Sequence, residues 1–298
     1  DTIEDFRKIN TQFSKVMNTM LDLVTDANDT SDSIEDKIVD VSDEEIEKTT
    51  RGKAYGCQNF GEIEGDVNVG GIAGSMAIEY DTDPEDDISK IGEGTLNFTL
   101  ETKAIIQHCA NKGEITSKKD NAGGVVGNMA LGLVVDSEGY GSVLSTNGNY
   151  VGGIAGYSVS QIRRSYAKCT LEGGDYVGGI AGYGRDIKDC YSLIEVTEAD
   201  EYIGSIAGDR DGEGELSGNY FVGDAYGAVD DISYGGKAEP ADFETVAATA
   251  GIPSDFLNFE LRFVADGQVL KRVSFEYGAD LSDVEYPDIP KKDGYNGK

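Results

Sequence analysis

The sequence predicts a mainly β protein: a parallel β-solenoid-like repeat array with an N-terminal α-helix and a partial C-terminal β module. Three observations predict it. First, a glycine word returns as Gly-Gly-Ile-Ala-Gly at 70–74, Gly-Gly-Val-Val-Gly at 123–127, Gly-Gly-Ile-Ala-Gly at 152–156 and 178–182, and Gly-Ser-Ile-Ala-Gly at 204–208. Its copies start 53, 29, 26 and 26 residues apart, a period that marks stacked units able to bury their apolar faces only against neighbours. Second, a small residue lies about 14 positions before each word, at Cys57, Cys109, Ser137, Ser165 and Cys190. An apolar β-former follows it six positions later, so both ends share one parity and face inward on an extended segment. Third, the segments are too short and too rich in glycine for helices, where each glycine costs about 1 kcal/mol against alanine.

Taken in order, residues 1–50 read as a helical arm. Phe6, Ile9, Phe13, Val16, Met20 and Leu23 follow steps of 3 and 4, placing one apolar seam on a helix over 3–24. That seam either packs on the array or continues a longer helix upstream. The Asp-, Asn- and Ser-rich run 26–33 breaks the helix; a second helix is expected to start near Ile34, and Ser42-x-x-Glu45 reads either as a capping box or as part of a solvated acidic linker.

Residues 51–236 hold the repeats as two short strands per period, with neighbouring rungs about 4.8 Å apart. Gly70, Gly123, Gly152, Gly178 and Gly204 then form a ladder, required by close backbone approach or by positive φ. Ile72, Val125, Ile154, Ile180 and Ile206 fill the core. An insertion at 76–102 is either a degenerate rung or, as its acidic start favours, a loop leaving the array. Residues 237–258 read as a short helix from 239 and a linker, stopped at Pro253. In 259–298, alternation on both sides of Asp266-Gly267 signals a hairpin.

The words from Val69 to Gly74, Val151 to Tyr157 and Val177 to Tyr183 resemble the GLUG motif, and Ala122 to Gly127 and Ile203 to Gly208 match it more loosely. The resemblance covers about 52–225. It implies a structural or adhesive module of secreted and cell-surface bacterial proteins and carries over no catalytic residue. The run from Leu261 through Gly294-Tyr295 similarly resembles the Listeria–Bacteroides repeat, in truncated form.

The chain carries 56 acidic against 25 basic residues, a net charge of -31, which repels nucleic acid and anionic headgroups. No run of 18 apolar residues exists, so no membrane span is expected. Both ends read as cut from a longer chain, leaving a signal peptide or anchor outside it open. His108 is the single histidine, and its strand neighbour Cys109 points to the opposite face, which argues against a catalytic pair. The cysteines lack C-x-x-C spacing; free buried thiols are expected, although Cys57 and Cys109 on adjacent rungs leave a disulfide geometrically open. The acidic runs 81–87 and 209–215 do not fit the twelve-residue calcium loop. No catalytic residue, cofactor or metal is therefore expected.

The expected function is a non-catalytic extracellular interaction or adhesion/scaffold module on a bacterial surface, its partner an unidentified glycan or protein. The alternatives are a carbohydrate-active β-helix enzyme and a purely structural stalk. The candidate interaction surface comprises Tyr80 and Phe98 in the insertion, and Tyr157 and Tyr183, which follow equivalent words and should stack.

Overall fold

The computed structural model describes residues 15, 38–78 and 100–288. The proposed helix over 3–24, the acidic run 81–87, Tyr80 and Phe98, and residues 289–298 lie outside the described residues. What is described is mainly β: a parallel solenoid of about four turns.

Each turn has three faces, one more than the two strands per period expected. The first face stacks Lys53–Tyr55, Ile105–Gln107, Leu133–Val135, Ala155–Arg163 and Ala181–Lys188. The second stacks Ile63–Gly65, Ile115–Ser117, Glu138–Ser145, Tyr166–Glu172, Tyr191–Glu198 and Asn219–Val222. The third is built from two-residue strands: Val69–Gly70, Ala122–Gly123, Val151–Gly152, Val177–Gly178 and Ile203–Gly204. All of these pairings are parallel and bring the expected glycine ladder into register. Val125, Ile154, Ile180 and Ile206 are fully buried behind it, whereas Ile72, in the first turn, is only partly covered.

Close approach, not positive φ, explains these glycines. A Cβ on Gly178 would lie 2.0 Å from the Ala181 carbonyl oxygen and 2.6 Å from Ala207 Cα. The positive-φ positions fall instead on the residue before each third-face strand: Asn68, Asn121, Tyr150, Tyr176 and Tyr202, with φ of 53°, 67°, 64°, 65° and 58°. A second such column, His108, Asp136, Arg164 and Asp189, turns the chain from the first face to the second.

The small residue beginning each second-face segment has a polar role beyond its size. Ser137 Oγ donates to its own Val135 carbonyl (2.9 Å) and accepts from the Cys109 amide of the previous turn (3.3 Å). Ser165 repeats this toward Arg163 and Ser137, and the Cys109 and Cys190 thiols donate to the Gln107 and Lys188 carbonyls. The serine hydroxyls therefore satisfy the Cys109 and Ser137 amides, which the corner would otherwise orphan, while the carbonyls they reach also accept an amide from a neighbouring turn. All four cysteines are free, with the Cys57 amide 3.4 Å from Cys109 Sγ.

Other expectations need correction. Of the two readings of the 76–102 insertion, only the less favoured one, a degenerate rung, falls, because Val69–Gly70 pairs directly with Ala122–Gly123. The insertion's last described part, Leu100–Thr102, pairs in parallel with Ile38–Asp40. Ser42 does not cap a helix: its hydroxyl donates to Asp40 and accepts from the Ala104 amide, and residues 42–48 are turns lying across the first face. The array also runs further than 236, because Ala238–Ala241 adds a strand on Asn219–Val222 where a helix was expected to begin. The helix starts at Phe243 (α1, Phe243–Ala247), capped by the Asp242 carboxylate, and a second short one follows (α2, Ser254–Leu257). Both pack on the outer second face, where Val246 and Phe256 are buried against Tyr140, Tyr166 and Tyr191. Asn258–Ala265 and Gln268–Glu276 form the antiparallel hairpin around Asp266-Gly267.

Candidate functional site

The glycine word is a hairpin-tight corner between the third face and the first. Its last glycine lies against the preceding corner: a Cβ on Gly182 would sit 2.6 Å from the Tyr176 carbonyl oxygen. The residue before the word and the residue after it are thereby brought side by side on every turn. In the first two turns those positions hold Asn68 with Ser75 and Asn121 with Asn128; in the next two they hold Tyr150 with Tyr157 and Tyr176 with Tyr183. Tyr202 and Asp209 complete the series.

Tyr157 and Tyr183 stack as expected, with ring centroids 5.0 Å apart and planes 10° from parallel. Beside them runs a second column that the sequence reading missed. Tyr150 and Tyr176 stack at 4.8 Å, and Tyr176 and Tyr202 at 4.5 Å. The columns meet edge to face, Tyr150 against Tyr157 at 83°. Five half-buried tyrosines thus form one ledge in a herringbone. Among the described residues, no hydrogen bond engages their hydroxyls.

The column was detectable: every word is preceded, two positions before its first glycine, by Asn or Tyr. Asparagine tolerates the left-handed region at small cost, which is why it suits the first two turns. There its amide also bridges rungs, Asn121 Nδ2 donating to Asn68 Oδ1 at 2.7 Å. Tyrosine has no such local compensation and costs of order 1–3 kcal/mol at such a φ. Three tyrosines in that conformation are a strained arrangement held by the ladder on both sides.

The ledge is acidic at its rim. One position before the tyrosine column, Asp120 accepts from the Asn149 amide, Asn149 from Asp175 and Asp175 from Glu201, a side-chain ladder that fixes the corner. Each aspartate engages a backbone amide through one oxygen, Oδ1. Burial, with the negative potential of Asp120, Asp175 and Asp209, raises the pKa of Tyr150 above the usual phenol range; Tyr183 shifts likewise, with Asp211 adding to it.

A second concavity separates the second face from the hairpin, an open cleft of about 1260 Å³. Several of its cations are already engaged. Lys112 pairs with Asp255 at 2.6 Å, Arg262 and Arg272 both bind Glu260, and Lys168 donates to the Asp255, Phe256 and Asn258 carbonyls. The cleft is a seam fastening the hairpin to the solenoid.

His108 sits at a positive-φ corner with its ring edge-on to Tyr55, and the Cys109 thiol is buried facing Gln107. In the 209–215 run, Asp211 accepts from the Glu213 amide and Arg210 crosses to the Gly214 carbonyl. Among the described residues, no three metal-ligating side chains converge, and no helix is long and apolar enough to cross a membrane. Comparison with known proteins gave no match: no family model, no curated protein and no solved structure.

Proposed function

We propose that this chain is a non-catalytic interaction or adhesion/scaffold module of a bacterial surface protein, working outside the cell through the tyrosine ledge. The observation that carries the reading is the strain at Tyr150, Tyr176 and Tyr202. The same corner is filled without that strain by asparagine one turn away, so the tyrosines recover at most part of its cost by stacking on one another, and their aromatic surface is left to be explained by what it contacts. Ordered, half-buried aromatic rows at the surface of a rigid scaffold are suited to recognition. The GLUG-like words, which create the ledge, point toward the same cell-surface setting.

The test is a binding survey of the intact chain against surface glycans and cell-envelope proteins, beside a sugar-release assay. Interaction lost in Tyr176→Asn, with no sugar released, supports the reading. Sugar release that depends on surface carboxylates would replace it with a carbohydrate-active enzyme, and silence in both would leave a stalk.

A further inference from the structure

Resting on that reading, the geometry points to a partner class: we infer that the ledge docks an extended, arginine-containing, proline-rich polypeptide running along the solenoid axis. Three features favour a peptide of this kind over a sugar. Within each column the rings cover one another, with planes 3–13° apart, so the free ring faces that a sugar would stack on are largely occupied. The tyrosine hydroxyls have no hydrogen-bond partner among the described residues, and are suited to accept and donate hydrogen bonds along a ligand backbone.

Spacing selects the conformation. Tyr150 and Tyr202 are two rungs apart, about 9.6 Å at strand spacing. A polyproline II helix advances about 9.3 Å per three-residue turn, whereas two residues of a β-strand advance only about 7 Å. Every third residue of a polyproline II ligand therefore meets Tyr150 and then Tyr202, which Tyr176 between them holds in line, whereas a three-residue strand step of about 10 Å turns the next side chain to the opposite face. Such a segment also arrives already ordered, which reduces the entropy lost on docking.

Charge selects the flanking residue. Asp175 directly precedes Tyr176, Asp209 is the strand partner of Tyr183, and Asp120 binds the Asn149 amide beside Tyr150; each carboxylate has an oxygen beyond the one engaged by a backbone amide. Arginine fits such a rim better than lysine, since its planar guanidinium offers several donors in a fixed fork, enough to serve a rim carboxylate and a tyrosine hydroxyl at once.

The intact chain would be titrated calorimetrically with three synthetic peptides of equal length, repeating Pro-Pro-Arg, Gly-Gly-Arg or Pro-Pro-Glu. The Pro-Pro-Arg peptide should bind at least about tenfold more tightly than Gly-Gly-Arg of the same charge, and Pro-Pro-Glu should not bind. Tyr176→Asn, which installs the residue already used at 68 and 121, should keep the fold by circular dichroism and lose at least about tenfold in affinity. Asp209→Asn should weaken binding without changing the proline preference. Equal affinity for Pro-Pro-Arg and Gly-Gly-Arg would mean bare charge attraction, and would overturn the inference, as would binding indifferent to Tyr176→Asn. A glycan bound in a Tyr176-dependent way, with the peptides silent, would overturn it while sparing the interaction reading. Silence of peptides, glycans and envelope proteins alike would end both.

Discussion

Gly178→Ala isolates what the glycine word does. The added methyl would lie 2.0 Å from the Ala181 carbonyl oxygen, 2.5 Å from the Gly208 nitrogen and 2.6 Å from Ala207 Cα, all backbone atoms. No rotamer relieves this, so the rung must open by more than about 1 Å to reach ordinary carbon–oxygen contact. The backbone bonds Gly153 to Gly178, Gly179 to Gly204 and Ile180 to Ile206 sit at 3.3, 3.0 and 2.7 Å and would lengthen together. Losing two of them at about 0.5–1.5 kcal/mol each, with about 1–3 kcal/mol of overpacking, gives about 2–6 kcal/mol. That is a large share of the roughly 5–15 kcal/mol that holds a domain. Gly212→Ala is the control: nothing lies within 4 Å of its added methyl, and its φ is not positive. Restricting the unfolded chain there should leave stability unchanged or raise it by up to about 1 kcal/mol. Urea denaturation followed by far-ultraviolet circular dichroism measures both. A Gly178→Ala protein within about 1 kcal/mol of wild type would refute close approach as the reason for the word.

Three further outcomes follow from particular groups. Ser137→Cys should be nearly neutral, because cysteine already serves the equivalent position at 109 and 190; Ser137→Val should cost about 1–3 kcal/mol of unfolding free energy, measured in urea, by orphaning the Cys109 amide, the Val135 carbonyl keeping its bond from the His108 amide. Burial pushes Lys168 down to about 8 from its ordinary 10.5, so the folded chain holds fewer protons than the unfolded one across that window. The penalty for its buried charge is fully present below pH 8 and is relieved toward pH 10.5; the stability of wild type minus that of Lys168→Met should therefore rise over that range, and a difference that stays flat or falls would contradict the seam described here. Burial pushes Tyr166 up to about 12, with Tyr191 beside it, so a tyrosinate absorbance titration should show a group ionising there only in the folded state; complete titration near the ordinary value without unfolding would place Tyr166 in solvent.

Much of the array could be read from residues that repeat in register. The glycine ladder, the isoleucines behind it, the small-residue column and the Tyr157–Tyr183 stack all follow from one alignment of the words. The third face could not be read so, because strands of two residues carry no alternation to detect. The positive-φ corners were hidden for a related reason: glycine advertises that conformation, and here it falls on Asn68, Tyr150, His108 and Asp189, each fixed by neighbours on adjacent turns. Ser42-x-x-Glu45 misled because a capping pattern is local, while the Ser42 hydroxyl is claimed by the Ala104 amide 62 residues away. Half of the ledge was missed with the corners, since Tyr150, Tyr176 and Tyr202 matter only once the word folds back and sets them beside Tyr157 and Tyr183.

A crystal structure of the intact chain tests the central claim most directly, that the glycine words stack turn on turn and build a tyrosine ledge. It should show Gly152, Gly178 and Gly204 at neighbouring strand spacing, about 4.8 Å, with Tyr150, Tyr176 and Tyr202 at positive φ and their rings parallel in one column. Words that lie on separate elements, or tyrosines pointing apart from relaxed corners, would contradict both the fold and the function proposed from it.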